Sequence, residues 1–202
     1  MSRFSVPLTK RQKEILLGTI LGDGYLHPAS NTSARLKIEH GAKQKFYVWW
    51  KYREFQNVMQ DKPKFIERYN PVFNKMYQYY RCQTLAMSEL QEYRNFFYKE
   101  GKKCVPVELK RLFVSPLSLS VWYMDDGYYY RRDKTIYIYL PNYSLRELKL
   151  LQNILYDNFG IATHLYRKKR GYCFYVPVVE TRKMLKLISK FLLDGFRYKT
   201  SS

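Results

Sequence analysis

Two apolar segments of this chain, 103 positions apart at their acidic ends, run into nearly the same four residues. Residues 15–21 lead into Gly22-Asp23-Gly24-Tyr25, and residues 117–124 lead into Asp125-Asp126-Gly127-Tyr128. Self-similarity at this period means that the chain folds as two copies of one supersecondary unit. Its 202 residues leave room for one domain or two joined halves.

The flanking pattern repeats as well. Thr9 followed by Gln12 reads as a capping box before the first apolar segment, and Ser115-Pro116 reads as an N-cap with proline at the first helical position before the second. After each turn the period changes to alternation. Arg35, Lys37 and Glu39 alternate with Leu36 and Ile38, and Tyr137 and Tyr139 alternate with Ile136, Ile138 and Leu140, as half-buried strands do. Helices are expected over residues 43–59 and 145–159, strands over 76–84 and 172–179, and closing helices over 88–98 and 181–193. The aromatic run around Trp49 and Trp50 reads as core rather than as a base-stacking platform. The result is two α+β modules, residues 1–98 and 116–202, joined by a linker over 99–115 that contains Gly101, Lys102, Lys103 and Pro106.

Charge restricts the partner. The formal net charge is +19, and the basic residues recur throughout the chain instead of forming a tail, which points to a polyanion. No window approaches the 18 or so consecutive apolar residues of a spanning helix, and no helix gathers both the basic and the apolar residues of a membrane-surface segment. Nucleic acid is the expected partner. Cys82, Cys104 and Cys173 are odd in number and lack zinc-site spacing, which fits a reducing compartment. The opening MSRFSVPLTK has no apolar signal core, so the protein acts where it is made or a targeting segment lies elsewhere.

Gly18 and Gly22 stand four apart on the first apolar helix and would let another backbone come close. If the two apolar helices pack together, Asp23 and Asp126 emerge side by side. Such carboxylates repel unless divalent cations neutralise them, and oxygen ligands suit Mg²⁺. Metal ions held between carboxylates and a phosphate can activate water and stabilise a leaving oxygen.

With these residues in view, the chain resembles the LAGLIDADG homing endonucleases of the monomeric, double-motif type. Leu16-Leu17-Gly18-Thr19-Ile20-Leu21-Gly22-Asp23-Gly24 carries the first motif, and Leu119-Ser120-Val121-Trp122-Tyr123-Met124-Asp125-Asp126-Gly127 the second. The resemblance implies a pseudo-twofold pair of αββαββα modules whose motif helices pack centrally and whose two antiparallel, saddle-shaped sheets sit in the DNA major groove. It assigns Asp23 and Asp126 as catalytic metal ligands, with Gly22 and Asp125, aligned to one another, in the metal set. Mg²⁺ is the implied cofactor, with Mn²⁺ as substitute. Lys103 and Lys199 match the basic residues that follow each closing helix and act on active-site solvent or phosphate. Val121 and Asp125 depart from the family's small packing residues, and Leu21 from its earlier acid. The resemblance also implies a monomer with no obligate protein partner, in a compartment holding the host intron DNA, a mitochondrion or chloroplast.

Sequence in duplex DNA is best discriminated in the major groove. Arg35, Lys37, Glu39, Gln78 and Arg81 form the expected reading face of the first half, and Lys134, Tyr137 and Tyr139 their counterparts in the second. Arg167, Lys168, Lys169 and Arg170 form a basic hairpin ahead of Gly171, suited to phosphate contacts. Because these residues differ between halves, the site should be long and asymmetric. Two alternatives use the same scaffold: an RNA-binding intron maturase and a catalytically silent DNA-binding regulator. Both acidic positions are retained, which favours cleavage.

Overall fold

The computed structural model describes residues 6–169 and 171–200. The opening MSRFS and Arg170, one of the residues assigned to the basic hairpin, lie outside the described residues. In chain order the first copy comprises α1 (Lys10–Leu21), β1 (Tyr25–Ser30), β2 (Ser33–Gly41), α2 (Lys45–Glu54), β3 (Lys64–Asn70), β4 (Lys75–Gln83) and α3 (Ser88–Phe97). Between the copies stand a small hairpin, β5 (Tyr98–Lys99) and β6 (Lys102–Lys103), and the single turn α4 (Leu109–Leu112). The second copy follows as α5 (Pro116–Asp126), β7 (Gly127–Tyr130), β8 (Thr135–Leu140), α6 (Leu145–Phe159), β9 (His164–Lys168), β10 (Gly171–Val176) and α7 (Val178–Ile188). The class is α+β, and the order αββαββα occurs twice.

Each copy builds one four-stranded antiparallel sheet, ordered β1-β2-β4-β3 in the first and β7-β8-β10-β9 in the second. By contacts the chain divides into two compact units. One holds residues up to Gln12 together with Asp23–Arg94; the other holds Lys13–Gly22 together with the chain from Asn95 onward. Most of the first motif helix thus belongs with the second unit.

Local chemistry explains the boundaries. Thr9 and Gln12 cap α1 reciprocally, Thr9 N donating to Gln12 Oε1 at 2.9 Å and Gln12 N to Thr9 Oγ1 at 3.2 Å. Ser115 Oγ accepts from Leu117 N at 3.2 Å, and Pro116 occupies the first helical position of α5. A capping box of Ser144 and Glu147 starts α6, and Gly160, left-handed at φ 63°, ends it.

Several boundaries differ from expectation. The helix expected over 43–59 has its α-helical part in Lys45–Glu54, with short 3-10 turns on either side. The strand expected to reach residue 179 ends at Val176, because Pro177 cannot donate to a ladder and α7 starts at Val178. Within the first unit, β2 buries Ala34, Leu36, Ile38 and His40 on one face and leaves Arg35, Lys37 and Glu39 half-exposed on the other. Fully burying a side chain such as Leu36 or Ile38 contributes about 1.5–3 kcal/mol, which fixes the register, since a slip of one residue would bury the charges instead.

Candidate functional site

Within the second unit the two motif helices touch at three successive levels. Ser118 Oγ donates to Glu14 O at 2.7 Å. One turn on, a Cβ built on Gly18 would stand 2.4 Å from Ser118 O and 2.7 Å from Val121 Cβ. After another turn, a Cβ on Gly22 would stand 2.4 Å from Asp125 Oδ2. Residue numbers rise together along both helices, so they run the same way and their C-terminal ends meet. The larger residues Val121 and Asp125 are accommodated because their opposite numbers are glycines.

The Asp125 carboxylate therefore lies against Gly22, and Asp126 closes the same helix, its Oδ2 accepting from Trp122 Nε1 at 3.2 Å. Both acids are half-buried. Asp23, the residue after Gly22, is exposed in the first unit, with Oδ2 3.5 Å from Nδ1 of the buried His40.

Each motif helix ends on a lysine. Lys103 Nζ donates to Gly22 O at 2.6 Å, and Lys199 Nζ, itself buried, to Met124 O at 2.7 Å. Gly22 and Met124 occupy nearly matching motif positions, so the duplication extends to these clamps. An ammonium at a helix C-terminus meets the negative end of the macrodipole and satisfies carbonyls that the helix leaves open. Tyr123 Oη donates to Lys199 O, tying the lysine's own backbone to the second motif helix. Tyr143 Oη donates to Leu21 O at 3.4 Å, and burial, then the charge of Asp126, raise this phenol well above its ordinary range.

The residues present fit a hard divalent cation. Asp125 and Asp126 bring carboxylate oxygens to the end of the second motif helix, and Asp23 follows the first, while the Gly22 carbonyl is already held by Lys103.

In the first unit, Arg35, Lys37, Glu39 and Arg81 share one sheet face, Glu39 standing opposite Arg81 in the ladder. Gln78, expected on this face, instead alternates onto the other one, because it stands an odd number of residues from Arg81 on the strand, and its amide donates there to Glu67 Oε1 at 3.0 Å. Glu39 is the hub. Arg68 grips its carboxylate with both terminal nitrogens, each at 2.6 Å, and Arg81 Nε donates at 2.6 Å. Burial opposes the charge of Glu39, but the hydrogen bonds from Arg68 and Arg81 prevail and hold its carboxyl below the usual range. Asp23, Tyr25, Lys37, Glu39, His40 and Arg81 are among the residues lining one cavity of about 410 Å³, so Asp23 shares a concavity with this sheet face.

The second sheet presents tyrosine instead. Tyr137 and Tyr139 alternate with buried Ile136, Ile138 and Leu140, as the sequence implies. Tyr137 packs on Tyr130 and Tyr175, Tyr175 stacks on Tyr166 at 5.1 Å, and Lys168 Nζ stands 5.1 Å from the Tyr137 ring centre. Arg167 and Lys168 end β9 and Lys169 begins its turn, all exposed, with Lys168 paired to Gly171. Lys134, at φ 53° in the β7–β8 turn, lines a separate concavity with Arg131, Arg182 and Lys186. Trp49 and Trp50 are half-buried, and Trp50 stacks on buried Tyr47 at 5.8 Å.

Sequence reasoning missed Arg68, Tyr143, His40 and Lys51. Arg68 sits in Lys64–Asn70, an exposed edge strand whose polar sequence carries no alternation. His40 continues the alternation of Leu36 and Ile38, the signal that could have found it, whereas nothing in the chain marks Lys51 as buried; only the folded packing of α2 on β2 does.

The chain matches the model of the LAGLIDADG DNA endonuclease family over residues 13–184. It is 25% identical over 197 residues to the probable intron-encoded endonuclease 1 of Wickerhamomyces canadensis, covering 95% of this chain and 84% of that one. Identity to the DNA endonuclease I-ChuI of Chlamydomonas applanata is 26% over 210 residues, covering 96% of each. The RecA protein of Mycobacterium gastri is 32% identical over 212 residues, which are 95% of this chain but 47% of that protein, so the chain spans about half the length of such relatives. Among solved structures, the homing endonuclease I-WcaI bound to its DNA recognition sequence superposes with a TM-score of 0.88 at 24% identity, covering 96% of this chain and 87% of that one. No described helix is long and apolar enough to cross a membrane. The family match takes in both motif helices and both sheets, and the chain belongs to the LAGLIDADG DNA endonuclease family.

Proposed function

We propose that this chain is a site-specific double-strand DNA endonuclease that reads a long, asymmetric duplex through the major groove and hydrolyses phosphodiesters with divalent metal. The carrying observation is the pair of motif helices, packed on Gly18 and Gly22, each running into an acid and each carrying a lysine on its end. Asp23 and Asp126, with the Gly22 carbonyl and Asp125 beside them, would hold the metal. When bound, a hard divalent ion supplies charge neutralisation at the phosphate and a more acidic water. Mg²⁺ is the proposed ion, with Mn²⁺ as substitute.

The chain's own groups do the rest. Lys103 and Lys199 place positive charge at the helix ends, where phosphate charge develops. Arg35, Lys37, Arg68 and Arg81 face base edges and phosphates of one half-site, and the tyrosine face with Arg167, Lys168 and Lys169 serves the other. One chain carries both motifs, so it acts as a monomer without an obligate protein partner. The relatives named above as endonucleases include one called intron-encoded; for this chain the compartment is the one holding its intron DNA, a mitochondrion or chloroplast.

The test is cleavage of a randomised long-site library with Mg²⁺ present or withheld. Asp23→Asn and Asp126→Asn should each abolish double-strand cleavage while target binding persists, because an amide keeps the shape and loses the anionic oxygen. Asp125→Asn is the register control: loss of cleavage there with wild-type rate in Asp126→Asn would reverse the motif alignment. A folded protein that binds a specific duplex and cuts nothing in the library sinks the nuclease reading.

A further inference from the structure

Behind the reading face of β2 a chain of buried polar groups leads to Asp23. His40 is 5% exposed and follows Glu39 on the strand, so its ring enters the layer between the sheet and α2. Lys51, on α2, is fully buried. Its Nζ lies 3.3 Å from His40 Nε2 and 4.2 Å from the ring centre of Tyr47, one helical turn earlier. The Tyr47 ring in turn stands 4.9 Å from the His40 ring. At the other edge of the imidazole, Nδ1 faces Asp23 Oδ2 at 3.5 Å, a polar contact somewhat longer than the usual N–H···O bond.

Burying an ammonium is costly, and an apolar side chain of similar volume would often be as stable or more so there. Stability alone therefore does not account for Lys51. The direction of the hydrogen bonds does. An ammonium carries donors and no acceptor, so the ring nitrogen facing Lys51 must present its lone pair. The single ring proton of neutral His40 then belongs on Nδ1, the nitrogen facing Asp23, because the bond made at one imidazole nitrogen sets the state of the other.

We propose that Lys51 and His40 are positioning residues for Asp23: the buried ammonium selects the Nδ1–H tautomer of His40, and that N–H holds one oxygen of the carboxylate. Asp23 is exposed, and the contact at Oδ2 favours the rotamer that turns its second oxygen toward the reacting phosphate. This inference rests on the proposed catalytic role of Asp23, and its test is separable from that role.

The tautomer is read directly by long-range ¹H–¹⁵N spectroscopy of the full chain, free of metal and DNA. The protein has three histidines, and the His40 signals are those lost in His40→Asn. In the wild type Nδ1 should carry the proton and Nε2 should show a lone-pair shift; Lys51→Met should move population to the Nε2–H form. An Nε2–H ring or a doubly protonated ring in the wild type overturns the proposal. In cleavage, Lys51→Met should lower kcat about 10- to 100-fold, the usual span for outer-shell partners, with KM and target affinity unchanged. His40→Asn, whose amide can offer an N–H near the Nδ1 position, should retain more rate than His40→Leu. A folded Lys51→Met protein cutting at the wild-type rate, or equal rates for His40→Asn and His40→Leu, also overturns it. Normal cleavage by Asp23→Asn instead removes the catalytic assignment and leaves the tautomer measurement standing.

Discussion

Lys103 Nζ sits 2.6 Å from the carbonyl oxygen of Gly22, and Lys199 repeats the relation at 2.7 Å from Met124 O. The two lysines belong to unrelated local structures, one to a short hairpin strand and the other to a 3-10 turn at the end of the chain, yet both close a motif helix. They differ in burial: Lys199 is 8% exposed, Lys103 half-buried.

That difference sets the first prediction. Lys199→Met leaves the carbonyls of Tyr123 and Met124 without this donor and should cost about 1–3 kcal/mol in urea unfolding. Lys103→Met, nearer solvent, should cost less. Both should cut more slowly, and a Lys103→Met loss of stability as large as that of Lys199→Met would refute the ranking.

The glycines predict a shared loss of stability, with an added loss of activity at Gly22. A methyl on Gly18 meets backbone at Ser118 O, which cannot rotate away, so Gly18→Ala should lose about 1–3 kcal/mol through overpacking. At Gly22 a methyl meets Asp125 Cβ at 2.5 Å, which the helix backbone fixes, as well as Oδ2 at 2.4 Å. Gly22→Ala should therefore lose stability to a similar degree, about 1–3 kcal/mol, and also cleave much more slowly, because the Asp125 carboxylate is displaced. Thermal unfolding and single-turnover cleavage on the same preparations decide it.

Glu39→Gln should relax specificity. With the carboxylate gone, Arg68 and Arg81 lose the anchor that aims them, and discrimination against a mismatched base pair should fall about tenfold, within the 1–3 kcal/mol of a bidentate contact. The folded pKa of Glu39 lies below its unfolded value, so its stabilising contribution is present above the unfolded value and is lost as pH falls through the folded one. An NMR titration of the Glu39 carboxyl should place its midpoint below 4.5 in the wild type and higher in Arg68→Ala.

Salt should separate phosphate contacts from base contacts. Replacing Arg167, Lys168 and Lys169 by alanine should make the plot of log affinity against log salt shallower by about 0.9 per lost phosphate contact. Cognate and random duplexes should lose affinity alike. A selective loss on the cognate site would instead assign these residues to base reading.

Legibility in the sequence followed the range of the interaction. The caps at Thr9 and Ser115 involve neighbours within three residues, and α6 lies where its period places it. Gly18 and Gly22 were informative because a missing side chain on an apolar helix has few uses besides close approach. Arg81 stands with Glu39 on the reading face expected from the sequence, but Arg68 was not readable as a partner, since it lies 29 positions away on a strand without alternation. Lys51 was the least legible: inside an aromatic, lysine-containing helix, nothing local marks which charge turns inward.

If the two sheet faces read DNA as proposed, one built on Arg-Glu-Arg pairing and the other on packed tyrosine rings, they would impose different penalties on a changed target. A base swapped under the arginine forks would strand donors, which is an electrostatic loss and an abrupt one. Under the tyrosines the same swap would trim contact area and could be absorbed by a small shift of a ring. Drift in the target would then be forgiven unevenly, one half-site staying nearly fixed while the other accumulates variants.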